Sequence, residues 1–164
     1  IILFIFLLII IISTLLANNS SSTLGIHVLG DTCISIVGRE LKGNMKSREF
    51  ESFFKELNQN QLLNEELLTE VIYYQVEPTQ ENELYTELFG GFVTNVDSNK
   101  LKGYTRKNLC LNNYLFIQKS NNAGIYNELY DFAEKEGIIL DKNNVLEINE
   151  SSGVVSLLMK IQSE

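Results

Sequence analysis

One order of sequence patterns occurs twice along the chain, and it restricts the fold more than any other feature. The first half has a strand, a helix and two further strands as its patterns, at 31–41, 47–60, 69–77 and 83–96. The second half repeats this order, with a strand, a helix and a hairpin at 109–120, 123–137 and 143–162. Strands separated by single helices predict an α+β domain of duplicated β-α-β-β units. We expect a mostly antiparallel sheet with the helices on one face and a ligand cleft on the other.

Each helix pattern has one apolar stripe at helical spacing. The stripes consist of Phe50, Phe53, Phe54 and Leu57 in the first helix and of Ile125, Leu129, Phe132 and Ala133 in the second. Ser47 and Asn122 are placed to cap the two N-termini, and Gly137 is placed to end the second helix. Gly90-Gly91, inside a strand pattern, predicts a bulge or a close backbone approach.

The chain begins with an apolar segment, 1–17, that contains no charged residue. As a helix, residues 1–16 would span about 24 Å, slightly less than a bilayer core of about 30 Å. We expect a single-pass membrane anchor that continues upstream, with a cleaved signal peptide as the alternative; Leu15 is large for a cleavage site that would end at Ala17. A polar spacer, 18–24, then leads to one domain, 25–164. The side of the membrane on which the domain lies stays open.

Composition excludes several functions. The net charge is −8 and lysine and arginine do not cluster, which argues against a nucleic-acid partner. His27 is the only histidine and no CxxC occurs, so we expect no metal site, no cofactor and no Ser-His-Asp triad; His27 itself is expected on the surface. Cys33 and Cys110 are most simply small strand residues, and the sequence leaves open whether they pair.

The ordered series of segments resembles the GyrI-like family, the effector-binding domains of AraC-type and MerR-type regulators and their stand-alone relatives. The resemblance covers 31–161. Its best matches are "ISIVGREL", "VIYYQVE", "YTELFGGFV", "GIYNELYDFAEKEG" and "LEIN". It implies a cleft between two halves, lined by aromatic side chains and a glutamate. The DNA-binding helix pair of the regulators has no counterpart, because the apolar segment stands in its place.

Glu147 is the candidate glutamate. Alternation along the strand places Val145, Glu147 and Asn149 on one face. We expect Leu146 and Ile148, on the other face, to pack under a helix, so that Glu147 points to the uncovered face as a solvated carboxylate or a pocket residue. The family's final hairpin has Phe-Glu-x-Tyr with its Glu in the cleft, and Glu147 aligns with that Glu. Leu146 and Asn149 replace the Phe and the Tyr.

Four aromatic residues are candidates for the cleft wall. They are Tyr73, Tyr74, Tyr85 and Phe89. Only one of Tyr73 and Tyr74 can face the cleft, because neighbours alternate. With Glu147 and Asn149 these residues form the predicted ligand site, since a desolvated carboxylate beside aromatic faces attracts an organic cation.

Three functions follow. We expect a membrane-anchored module that binds a small lipophilic or cationic molecule. The first alternative is a tethered adaptor with a protein partner, resembling single-pass endoplasmic-reticulum autophagy receptors. Those receptors recruit their partner through an aromatic-x-x-aliphatic motif among acidic residues. "ELYTEL" and "GIYNEL" match this short motif, but both lie in predicted regular structure. The second alternative is a hydrolase of the kind that opens strained rings in this family, with Glu147 as base and Tyr74 or Tyr114 as proton donor.

Overall fold

A computed structural model describes residues 24–64, 66–78, 84–94, 97–98 and 101–162. The predicted apolar segment 1–17 lies outside these ranges, as do spacer residues 18–23. Within the ranges, no helix has the length and apolar character needed to cross a bilayer.

The described residues form eight strands and two helices. The strands are β1 (Leu24–Leu29), β2 (Thr32–Asn44), β3 (Thr69–Val76), β4 (Tyr85–Val93), β5 (Thr105–Leu111), β6 (Tyr114–Lys119), β7 (Leu140–Glu150) and β8 (Val155–Ile161). The helices are α1 (Arg48–Leu63) and α2 (Ile125–Glu136). All eight strands belong to one antiparallel sheet in the order β1-β6-β8-β7-β3-β4-β2-β5. The predicted α+β class and the mostly antiparallel sheet are therefore confirmed.

The single strand predicted at 109–120 is wrong, because a turn divides this stretch into β5 and β6. Asn113 in the turn has a φ of 62°, a left-handed conformation that asparagine tolerates better than most residues. β5 is an edge strand, whereas β6 is second from the opposite edge. The Cα atoms of Leu111, at the end of β5, and Tyr114, at the start of β6, can lie at most about 11 Å apart, because only two residues link them. The two ends of the sheet must therefore curve towards each other.

Buried side chains form two clusters, one on each face of the sheet. The first contains the buried residues of both helices, among them Phe53 of α1 and Leu129 of α2. The second contains strand residues alone. They are Ile36, Val71, Tyr73, Phe89, Leu111, Tyr114, Leu146 and Leu158. The curvature of the sheet brings Leu111 and Tyr114 from its two ends into this second cluster.

The face predicted to be open therefore holds packed side chains. Leu146 is a member of the second cluster, and Ile148 packs against it. The prediction that these two residues lie beneath a helix is wrong, and so is the prediction that Glu147 points away from the helices. Alternation along β7 was applied correctly, but the sequence did not show which face each helix would cover.

The helix ends agree with the sequence in part. Ser47 occupies the N-cap position of α1 but makes no side-chain capping hydrogen bond. The N-cap of α2 is Gly124, with a φ of 70°, and not Asn122 as predicted. Gly137 ends α2 in the left-handed conformation, and its N–H is directed to the carbonyl oxygens of Ala133 and Glu134.

The two glycines of β4 mark close contacts and not a bulge. The pairing of β4 with β2 continues without a register shift through Gly90 and Gly91. A Cβ on Gly90 would lie 2.6 Å from a ring carbon of Phe53, so α1 packs directly on the backbone here. A Cβ on Gly91 would lie 2.1 Å from the carbonyl oxygen of Val37 on β2. The close-approach prediction is confirmed.

Cys33 and Cys110 form a disulfide, so they are more than small strand residues. They lie opposite each other on β2 and β5, at 77 residues' separation in sequence. Both are exposed. The bond therefore fastens the edge strand β5 to the sheet at a position that solvent can reach.

Candidate functional site

A cavity of about 200 Å³ lies between the start of α2 and the β7–β8 hairpin. Its lining residues are Asn122, Ile125, Tyr126, Glu147, Asn149, Val155 and Leu157. The wall combines one carboxylate, one phenol and two side-chain amides with aliphatic groups. Such a mixture suits a small ligand that has a polar group on an apolar body.

Tyr126 and Glu147 form the central contact of the cavity. The phenol of Tyr126, in the first turn of α2, donates a hydrogen bond to Oε1 of Glu147 on β7. Burial raises the pKa of Glu147, and the hydrogen bond from Tyr126 partly opposes that rise. Burial also raises the pKa of Tyr126, and the neighbouring Glu147 raises it further. The phenol therefore stays protonated and acts as the donor.

A buried lysine holds the segment that leads into Tyr126. The ammonium of Lys119, at the end of β6, donates to the carbonyl oxygen of Ala123 at 3.2 Å and to Oε1 of Glu128 at 2.6 Å. Only 7% of Lys119 is exposed. These contacts fix the turn before α2 and its first turn, and thereby position Tyr126 over β7.

Two further glutamates lie on the same side of the sheet. Glu70 of β3 stands opposite Asn149, and Ile72 stands opposite Glu147. Burial raises the pKa of Glu70; a hydrogen bond from Asn149 lowers it and the charge of Glu147 raises it. Burial likewise raises the pKa of Glu77. The charge of Lys142 lowers that pKa, and the charge of Glu147 raises it. The cavity therefore adjoins a strongly acidic region.

Tyr74 lies among these carboxylates. It belongs to the same cluster as the helices and is 7% exposed. Burial raises its pKa, and Glu147, Glu77 and Glu70 add to the rise in that order. Tyr74 is therefore the member of the predicted Tyr73-Tyr74 pair that faces Glu147.

Three of the six predicted ligand-site residues come together. Glu147 and Asn149 line the cavity, and Tyr74 is their neighbour. Tyr73 and Phe89 lie on the opposite face, in the second cluster. Tyr85 is 41% exposed, at the start of β4.

The separated aromatic residues have partners within the protein. The ammonium of Lys107 lies 5.0 Å from the ring centre of Phe89 and 5.8 Å from that of Tyr73. The Tyr73 hydroxyl donates to Oδ1 of Asn144 at 2.6 Å, and the Tyr85 hydroxyl donates to Glu87 at 2.9 Å. A cation does lie over the predicted aromatic wall, but it belongs to the chain itself.

Sequence reasoning missed Tyr126 and Asn122 as lining residues of the cavity, and Glu70 as an acidic neighbour of Asn149 and Glu147. For Glu70 the signal was present, because alternation places Glu70, Ile72 and Tyr74 on one face of β3. Tyr126 was noticed only within the short motif of "GIYNEL". The apolar residues of both short motifs are packing residues: Leu88 is 1% exposed and Leu129 is fully buried.

Among the described residues, no group of three or more histidine, cysteine, aspartate or glutamate side chains is placed to hold a metal ion. Of the two tyrosines considered as proton donors, Tyr114 lies in the second cluster, on the face opposite Glu147. Tyr74 lies on the same side as Glu147. The groups near the cavity that can take part in proton transfer or bind a cation are therefore the carboxylate of Glu147 and the phenols of Tyr126 and Tyr74.

No protein-family model matches the chain, and curated proteins gave no match either. Among solved structures, an integron cassette protein from the mobile metagenome of Vibrio cholerae is similar in fold, with a TM-score of 0.57 at 7% identity over 88% of this chain and 100% of that chain. An uncharacterized conserved protein from Listeria innocua has a TM-score of 0.49 at 11% identity, covering 84% and 92%. A hydrolase from Listeria innocua has 0.46 at 12% identity, covering 84% and 90%. At these identities the likeness concerns the fold alone.

Proposed function

We propose that the domain binds a small organic cation in the cavity, with Glu147 as the charged anchor. The observation that supports this most directly is the environment of Glu147. It is largely removed from water, accepts a hydrogen bond from Tyr126, and forms no ion pair with a basic side chain among the described residues. A carboxylate in such a place is neutralised either by a proton or by a bound cation. The aliphatic wall suits the apolar body of the ligand.

The resemblance to the GyrI-like family supports the same proposal. The strand order contains β3-β4-β2 on one side and β7-β8-β6 on the other, and these are the strands of the two sequence repeats. We propose that the domain is a duplication whose halves meet where β3 pairs with β7. The aligned glutamate, Glu147, lies on β7 at this junction, as does Glu70 on β3. Family clefts lie between the two halves.

Calorimetric titration of the full chain in detergent with n-pentylamine and with benzyltrimethylammonium tests the proposal. We expect saturable binding that Glu147→Gln removes and that Tyr85→Phe leaves intact, because Tyr85 is exposed and does not line the cavity. Binding of neither cation, or equal binding by Glu147→Gln and by the wild type, would contradict the proposal.

A second candidate function is hydrolysis of a small strained-ring substrate. The specific observation in its favour is the phenol–carboxylate pair at the cavity. The oxygen of a water molecule would form a bond to a ring carbon as Glu147 takes a proton from that water, while the phenol of Tyr126 or Tyr74 gives a proton to the ring oxygen as its bond to that carbon breaks. The proton held by Glu147 would then return to the phenolate, which restores both groups. Conversion of an aliphatic epoxide to the diol, followed by mass spectrometry, tests this; wild-type activity equal to that of Glu147→Gln would exclude it.

We also propose that segment 1–17 tethers the domain to a membrane as a single pass, on the oxidising side. The disulfide between Cys33 and Cys110 supports the side, because such bonds persist in oxidising compartments. Alkylation of Cys33 and Cys110 with a maleimide reagent under denaturing conditions, with and without reductant, tests the proposed side in membranes from the producing cell. Free thiols before reduction would place the domain on the reducing side.

A further inference from the structure

Three leucine side chains are exposed where α1 ends and β3 begins, and we call them the leucine patch. Leu62 and Leu63, in the last turn of α1, are 84% and 85% exposed. Leu68, directly before β3, is 52% exposed. Large aliphatic side chains gain free energy when they leave water, and a group of them on a surface is typical of an interaction site.

Hydrogen bonds hold the leucine patch against one end of the sheet. The side-chain amide of Gln61 donates to the carbonyl oxygen of Leu68 at 3.1 Å. The same oxygen accepts from the N–H of Ser151, in the turn between β7 and β8, at 2.9 Å. The hydroxyl of Thr94, which follows β4, donates to the carbonyl oxygen of Glu66 at 3.1 Å. The patch therefore belongs to a folded surface that three strands help to form.

The strand register shows that the described chain begins at this same end of the sheet. Leu24, the first residue of β1, stands opposite Gln118 of β6, which stands opposite Ser156 of β8. Ser156 stands opposite Ile148 of β7, and Ile148 stands opposite Val71, near the start of β3. These steps between neighbouring strands measure about 4.8 Å each, so the row covers about 19 Å from β1 to β3.

A short link joins β1 to the apolar segment 1–17. Residues 18–23 are the only ones between them, and the seven Cα–Cα steps from position 17 to position 24 cover at most about 25 Å. A bilayer that holds segment 1–17 is therefore within reach of the end of the sheet where the leucine patch lies.

We propose that the leucine patch inserts into the surface of the bilayer that holds segment 1–17. This inference rests on the proposed tether and adds a second contact between the domain and the same membrane. The net charge is −8, and Glu66 and Glu150 are exposed beside the patch, so the lipid surface that fits is zwitterionic and not anionic. Insertion also places the cavity near the headgroups, because Asn149 and Val155 belong to the hairpin at this end.

Single-tryptophan variants of the full chain test the proposal, because the sequence contains no tryptophan. Leu63→Trp and Leu68→Trp each place one fluorescent ring in the leucine patch. Each variant is reconstituted in phosphatidylcholine vesicles, with and without lipid that is brominated on its acyl chains, and the vesicles are recovered by flotation. We expect emission at shorter wavelength than that of a tryptophan in water, and quenching by the brominated lipid. Phosphatidylserine mixed into the vesicles should weaken the quenching.

Ile139→Trp is the matched control. Ile139 is 65% exposed and directly precedes β7, as Leu68 directly precedes β3. Because β3 and β7 are antiparallel and β7 has 11 residues, the two positions lie at opposite ends of β7, about 30 Å apart. The control should be quenched by acrylamide in the water and not by brominated lipid. Tryptophan itself favours the membrane interface, so the difference between variant and control reports the position and not the residue type.

The outcomes separate this inference from the tether. Chain that floats with the vesicles but is not quenched by lipid at either patch position would overturn insertion and leave the tether standing. Equal lipid quenching of Leu68→Trp and Ile139→Trp, or stronger quenching with phosphatidylserine, would also overturn it. A shift to shorter wavelength without lipid quenching would overturn it in favour of a second copy of the chain on the patch. Failure of the full chain to float would contradict the tether, and this inference with it.

Discussion

The phenol of Tyr126 on α2 donates a hydrogen bond to the carboxylate of Glu147 on β7, across the wall of the cavity. This contact joins a helix to the centre of the sheet through two groups that burial alone would penalise. It also has a direction: the phenol stabilises the charged form of Glu147, whereas burial destabilises that form. Tyr126 therefore controls how readily the site becomes an anion.

Tyr126→Phe should weaken amine binding by about tenfold in slightly acidic solution, because hydrogen bonds to charged groups contribute about 1.5–3 kcal/mol. Without the phenol the pKa of Glu147 rises further, so more of the site is protonated and unable to hold a cation. The loss should shrink as pH rises and the carboxyl ionises. Titrations across a pH series measure this. Tyr130→Phe, on the same helix, is the control, and a loss in both variants alike would show a general effect on α2.

Glu147→Gln should change how stability depends on pH. The pKa of Glu147 is raised above its ordinary value of 4.5 in the folded protein, so the folded state binds more protons than the unfolded chain. Its contribution is fully present below the unfolded pKa and is lost as pH rises through the folded pKa, by about 1.4 kcal/mol for each unit of the rise. The variant should therefore be the more stable protein, relative to wild type, at neutral pH.

Urea unfolding from about pH 4 to about pH 8 checks this prediction. Tyr126, Tyr74, Glu70 and Glu77 face the same region, and removing the charge of Glu147 also lowers the pKa of Glu70 and of Glu77. A flatter stability curve for the variant is expected for both reasons. An unchanged curve would mean that Glu147 is hydrated in solution.

Replacing both cysteines by serine should lower the free energy of unfolding by about 2–4 kcal/mol. The disulfide closes a loop of 77 residues and joins the edge strand β5 to β2. Reductant should reproduce the effect in the wild type and have none on the double variant, which is the internal control. Equal stability of all forms in urea would show that β5 is held by its strand pairing alone.

The sequence predicted the elements of the fold better than their faces. Helical periodicity located α1 and α2, since Phe53 and Leu129 mark helix stripes whatever lies beneath them. The strand patterns on either side of a turn located the final hairpin. Alternation placed Glu147 and Asn149 on one face correctly, but local patterns are the same for either orientation of a strand. Which face meets a helix depends on the curvature of the whole sheet, and no short stretch encodes it.

The sequence predicted the strand residues of the candidate site but not the residue that the helix contributes. Glu147 and Asn149 of β7 and Tyr74 of β3 come from adjacent strands. The sequence did not predict that adjacency; the cleft implied by the family resemblance associated these residues, and alternation placed Glu147 and Asn149 on one face. Tyr126 arrives from α2, and its contact depends on the turn at Gly124 and on the anchoring of that turn by Lys119. Asn112 and Asn113 were read within a strand, which concealed the turn that brings the sheet ends together.

Gly90→Ala tests whether α1 packs as closely on β4 as the structure indicates. The added Cβ would lie 2.6 Å from Cζ and 2.7 Å from Cε1 of Phe53, which is shorter than van der Waals contact. Phe53 is fully buried and cannot withdraw without opening the first cluster. We expect a loss of about 1–3 kcal/mol in the free energy of unfolding. Gly25→Ala is the matched control, because nothing lies within 4 Å of its Cβ, and it should be neutral. Equal stability of the two variants would show that α1 can move away from β4 at little cost.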